Sequence, residues 1–182
     1  MEPIGWFPAF TLMVGYAAKW LEVRTLHRQT IERERETRRA LRQDALNDRR
    51  VAFQRRTLLE LQSTTLDLAR WVGKIHLCDR IEFKKSQQWH KNRYPDDLDE
   101  NFRQATAQTS LLTERVHDAK VRDLARMFKA IATRLPSAAD ISESDETFGQ
   151  MALLFQDLQE RIGVVLRALD EDNYKLEPQR GI

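Results

Sequence analysis

No proline lies between Pro8 and Pro95, and no glycine between Gly15 and Gly73. These two residues are the strongest local interrupters of a helix, one by removing a backbone donor and clashing with the preceding turn, the other by conformational entropy. A stretch free of both predicts one helix that starts near the N-terminus and runs to the region of Trp89, with Asn47–Asp48 its only weak point. Leu, Ala, Arg, Glu and Gln dominate the chain, and no stretch alternates apolar and polar residues over a useful strand length, so the expected class is all-α.

Charge divides this helix. From Pro3 to Ala18 there is no charged side chain, whereas Lys19 to Arg56 carries twelve Lys or Arg and six Asp or Glu. The net charge of +2 therefore hides a local basic excess, because Thr57 to Ile182 holds 18 basic and 21 acidic residues. Ile4 to Leu21 reads IGWFPAFTLMVGYAAKWL. As a helix it would extend roughly 27 Å, just short of a bilayer core of about 30 Å. Lys19 can snorkel, Trp6 and Trp20 sit where indole rings favour the head-group layer, and Pro8 falls in the first turns, where a missing N–H does least harm. With Glu2 before the apolar run and the cations after it, the segment does not have the order of a secretory signal. The expectation is a transmembrane anchor over residues 1–21, N-terminus outside. Lys19, Arg24 and Arg28 would then meet the head groups of the inner membrane, with the bulk of the chain cytoplasmic. A helix lying in the interface, or one buried in a core, is the other reading.

His27 to Ala40 contains one large aliphatic residue, Ile31. Such a stretch has no stripe to bury, so residues 22–50 are expected to be a solvated helical stalk. Its acids are interleaved with its bases and no aromatic platform accompanies them, which argues against nucleic acid as a partner of the basic helix 24–56.

A bundle pattern begins at Val51. Leu58, Leu61, Thr65, Leu68, Val72 and Ile75 follow a coiled-coil-like 3-4 spacing. Pro95 followed by Asp96, Asp97 and Asp99 marks a new start, and Phe102, Ala105, Thr109, Leu112 and Val116 repeat the spacing. The register then slips to Leu124, Phe128, Ile131 and Leu135, with Asp118 a possible cap for a restart. Pro136 ends that element. Ser144 is a candidate cap for a last helix carrying Phe148, Met151, Phe155, Leu158, Ile162 and Val165. Residues 51–172 are thus expected to form an antiparallel three- to four-helix bundle, with 173–182 a polar tail.

Chemistry is sparse. The densest polar cluster is His76, Cys78, Asp79, Glu82 and His90, whose spacing fits no closed zinc site. No phosphate loop, nucleophile motif or Glu-x-x-His pair occurs. The single cysteine, Cys78, excludes an intrachain disulfide. No catalytic residue, metal or cofactor is expected. Trp71 reads as core, and Trp89 as a side chain covering a loop or anchoring a contact.

The stretch RRVAFQRRTLLELQ, Arg49 to Gln62, follows a short apolar N-terminus and an Arg-rich helix. In this it resembles a loose class of short uncharacterised bacterial membrane proteins of the actinobacterial type. The resemblance implies a membrane anchor and a small all-helical body, and no activity or ligand. The functional expectation is a membrane-anchored helical scaffold or adaptor, or a subunit of a membrane assembly. Its partners would be the bilayer and either a protein or a second copy. A soluble nucleic-acid-binding protein and a ligand-sensing bundle are the alternatives.

Overall fold

The computed structural model of the chain describes residues 7–89 and 94–176. Among them the secondary structure is helical throughout: α1 (Phe7–Ser86), α2 (Asp96–Arg115), α3 (Ala119–Arg134), a 3-10 turn (Leu135–Ser137) and α4 (Ile141–Leu176). α1 passes through Asn47 and Asp48 without a break. The chain divides into two compact units, Met1–Arg49 and Arg50–Ile182.

The first unit is one helical stretch from Phe7. Every residue from Glu32 to Arg49 is exposed, including Leu41 at 63 % and Leu46 at 54 %. An Arg38–Glu34 pair at 3.6 Å links successive turns. Exposed pairs of this kind contribute only tenths of a kcal/mol. Among the described residues no helix is long and apolar enough to cross a membrane. The expected spanning segment begins at Ile4, outside the described residues. Within it Gly15, Tyr16, Lys19 and Trp20 dilute the apolar run.

The second unit is the bundle. Gln54 bonds at Arg115 and His117, whereas Asp79 bonds Tyr94, so the 50–86 part of α1 runs antiparallel to α2. Arg55 meets Asp170, Thr65 meets Gln159 and His76 meets Ser144, so the same part of α1 is antiparallel to α4. Lys129 reaches Ser110, and Arg126 reaches Glu114, between α2 and α3. Arg161 reaches Asp118, and Phe155 packs on Phe128, between α3 and α4. Each helix is therefore antiparallel to its neighbours in an up-down-up-down bundle, the arrangement that short connections favour.

The core follows the 3-4 stripes read from sequence through Leu58, Leu61, Leu68, Val72 and Ile75 on α1, Ala105 and Leu112 on α2, and Met151, Leu158 and Ile162 on α4. Leu98, not among the expected residues, joins it, while Phe102, Phe148, Phe155 and Val165 are only half-buried. α3 departs from expectation. Its buried line is Val121, Ala125, Phe128, Ala132 and Leu135, with Leu124 and Ile131 only half-buried. Phe128 fills the centre while the small Ala125 and Ala132 lie buried beside it. Buried threonines donate back to the turn below, as Thr65 does to the Leu61 carbonyl and Thr109 to that of Ala105, each at 2.8 Å. Among the described residues no fully buried side-chain polar atom is left without a partner.

Helix ends follow local chemistry. α1 stops without proline or glycine: Gln87 adopts φ 55°, and its N–H donates to the Phe83 carbonyl at 2.8 Å. Asp118 caps α3 by accepting from the Val121 N–H at 2.8 Å, the restart anticipated from sequence. At α4 the cap is Asp140, which accepts from the Glu143 N–H at 2.8 Å, and not Ser144. α4 continues to Leu176, beyond the expected end at residue 172.

Candidate functional site

The bundle's main polar constellation joins α1 to the first turns of α4. His76, 7 % exposed, is placed by its i+4 and i−4 relation to Val72 and Arg80 on a face half in the core and half at its rim. Its Nδ1 lies 3.0 Å from Ser144 Oγ and its Nε2 3.2 Å from Asp145 Oδ1. Arg80 approaches the same Asp145 oxygen at 3.6 Å. Phe148, one turn further along α4, stacks parallel on the imidazole, centroids 4.5 Å apart and planes 6° from parallel. The carboxylate facing Nε2 fixes the neutral tautomer with its proton there, so the Ser144 hydroxyl donates to Nδ1. Burial holds the His76 pKa below its ordinary 6.5, opposed by Asp145 and assisted by Arg80.

Serine, histidine and aspartate within hydrogen-bond reach are the components of a nucleophilic triad. Here they do not form one. Ser144 is fully buried, so its oxygen cannot meet a substrate, and it bonds Nδ1, while the carboxylate takes the nitrogen that would face the reaction. The arrangement is a latch between two helices.

Beside it, Asp79 (8 % exposed) accepts from the Tyr94 hydroxyl at 3.1 Å. Burial raises the Asp79 pKa, partly offset by the bond from Tyr94, and raises the Tyr94 phenol through burial and the nearby carboxylate. The pair ties the chain entering α2 to the end of α1. Cys78 is half-buried against the core, and no metal-holding group of His, Cys, Asp and Glu occurs among the described residues. His90 lies outside the described residues.

At the opposite end of α3, Arg161 grips Asp118 with contacts of 2.6 and 3.3 Å, and that guanidinium holds the Asp118 carboxyl below its usual range. A cleft of about 350 Å³ between α3 and α4 is lined by Lys120, Leu124, Asp157, Glu160, Arg161 and Val164. Its two cations face two carboxylates, so it presents no net charge to select a ligand.

Of the residues expected at a membrane interface, the structure describes the side chains of two. Lys19 and Arg24 are exposed on α1. Trp6 lies outside the described residues, as do the side chains of Trp20 and Arg28. Trp89 covers a loop: its Nε1–H donates to the Ala138 carbonyl at 2.9 Å, and Phe83 meets it edge-on at 6.2 Å. The latch was not legible in sequence, because His76 and Ser144 are 68 residues apart and each has an ordinary helical neighbourhood.

No protein-family model matches this chain, no curated protein is significantly similar to it, and no solved structure resembles it significantly.

Proposed function

We propose that this chain is a membrane-attached helical adaptor that acts through protein contact and catalyses nothing. Its N-terminal apolar segment holds it to the cytoplasmic membrane, residues 22–50 act as a spacer, and the bundle meets a protein partner or a second copy. The observation that carries this reading is the exposed helical stretch Glu32–Arg49, which buries nothing and lies between an uncharged segment and a closed bundle. A helix that buries nothing of itself gains little from folding alone, and is most simply explained as a connector. The bundle supports an interaction role because His76 and Ser144 of its main polar constellation are buried against each other and no buried side-chain polar atom among the described residues lacks a partner.

In the first form of the reading, Ile4–Leu21 spans the bilayer with the N-terminus outside. Trp6 and Trp20 then mark the two head-group layers, and Lys19, Arg24 and Arg28 the cytoplasmic one. In the second form the segment lies in the interface, where Gly15, Tyr16, Lys19 and Trp20 are more easily accommodated than in a bilayer core. A Glu2→Cys variant in a Cys78→Ser background separates the two. Spanning predicts labelling by a membrane-impermeant maleimide on intact cells, and interfacial attachment predicts labelling only after permeabilisation. A chain recovered entirely away from membranes contradicts both.

A further inference from the structure

The outward face of α1 in the bundle has a composition unlike the rest of that unit. Between Ala52 and Lys85, fifteen positions are exposed, and they hold seven basic side chains, six apolar ones and one carboxylate, Glu60, with the Asp67 side chain, itself half-exposed, and the half-buried Glu82 beside them. By contrast, residues 57–182 as a whole are richer in acid than in base. Leu59, Leu66, Leu77 and Ile81 are 42, 39, 57 and 43 % exposed. They interleave with Arg70, Lys74 and Lys84 at steps of three and four, so one line along the helix carries both kinds of side chain. Four of the arginines on this face are engaged, Arg55 by Asp170, Arg56 by Glu60, Arg70 by Asp67 and Arg80 by Asp145. Lys74, Lys84 and Lys85 meet no carboxylate at salt-bridge distance among the described residues, and Lys74 rests over the Trp71 ring at 4.1 Å. The free cations and the two most exposed aliphatics of the line, Leu77 and Ile81, thus coincide.

We infer that this face of α1 docks on a bilayer surface carrying acidic phospholipid. Charge selects the occupant: exposed aliphatic side chains set beside Lys74, Lys84 and Lys85, which meet no carboxylate among the described residues, match a layer of phosphates above acyl chains. The shape agrees, because the face is the convex side of one helix, whereas an amphipathic partner helix seats in a groove. The inference rests on the reading that the chain works at a membrane.

The full chain is tested with a nitroxide on Ser63→Cys in a Cys78→Ser background, Ser63 being exposed on the same line. The measurement is collisional access of oxygen and of a water-soluble nickel chelate, on vesicles of phosphatidylcholine alone or mixed with phosphatidylglycerol. Docking predicts that the label gains oxygen access and loses nickel access on the mixed vesicles only. Each lysine near the surface is worth about fivefold in binding, so Lys74→Gln/Lys84→Gln/Lys85→Gln should weaken this docked state by about a hundredfold. Circular dichroism checks that the helices persist. A chain that floats with both vesicle types while its label stays in water overturns the docking and leaves the attachment standing. A chain that floats with neither overturns both. Immersion unaffected by the three glutamines removes the charge basis, and immobilisation of the label in native membranes without added oxygen access assigns the face to a protein instead.

Discussion

Replacing His76 by leucine tests the latch that closes the bundle. The side chain is 7 % exposed, and its loss leaves the fully buried Ser144 hydroxyl without the nitrogen it donates to at 3.0 Å. An orphaned buried hydroxyl costs about 1–3 kcal/mol. The lower end applies, because Ser144 can turn its hydroxyl toward a carbonyl of the preceding turn. Losing the parallel stack on Phe148 adds about 0.5–1.5 kcal/mol, and the leucine's apolar contacts return part of this. The expected net loss is about 2 kcal/mol in urea unfolding at pH 7.5, read as a lower midpoint at constant slope. The double variant His76→Leu/Ser144→Ala removes both partners and should recover about 1 kcal/mol. The pH dependence has a definite sign. The folded pKa of His76 is depressed, so below 6.5 the unfolded chain binds a proton that the folded chain resists. This contribution to stability is present above pH 6.5 and is lost as the pH falls through the folded value. His76→Leu should abolish that part of the acid-side decline. A single variant as stable as the parent, or a double variant no better than the single, would refute the latch as an energetic element.

Other expectations follow from local geometry. Gly149 is exposed inside α4, and an added Cβ meets nothing within 4 Å; Gly149→Ala should therefore raise stability by up to about 1 kcal/mol, read by thermal unfolding. Gln87 holds φ 55°, a left-handed conformation that costs a side-chain-bearing residue about 1 kcal/mol; Gln87→Gly should recover several tenths of that, and a loss would show that the backbone there does not cap α1. Asp118→Ala removes both the α3 cap and the partner of Arg161, and should cost about 1–2 kcal/mol near pH 7. Because the folded Asp118 pKa lies below the ordinary 3.8, the gap to the parent should close as the pH falls through that depressed value.

The helical class, the element order and most of the core were legible in the sequence, because each rests on local periodicity. Leu58 through Ile75 announce their face by spacing alone, and Asp118 announces its cap. The line chosen on α3 was not, since Val121, Ala125 and Ala132 are buried by the way neighbouring helices crowd against them, which spacing within one helix does not encode. The end of α1 at Gln87 was hidden for a related reason, as nothing in that residue's type requires a left-handed turn. Ser144 resembles a cap in sequence, yet the Asp140 carboxylate takes that role and frees Ser144 for His76. The basic face of α1 also escaped a sequence reading, because only burial separates its arginines and lysines from the acids elsewhere on the bundle.

The central claim is that the N-terminal segment attaches the chain to a membrane. Its most direct test is fractionation of cells expressing either the full chain or residues 22–182. The account predicts that the full chain sediments with membranes and resists a high-salt wash, while the shortened chain loses that wash-resistant share. A full chain recovered wholly in the soluble fraction, or a shortened chain retained as firmly as the full one, would contradict it.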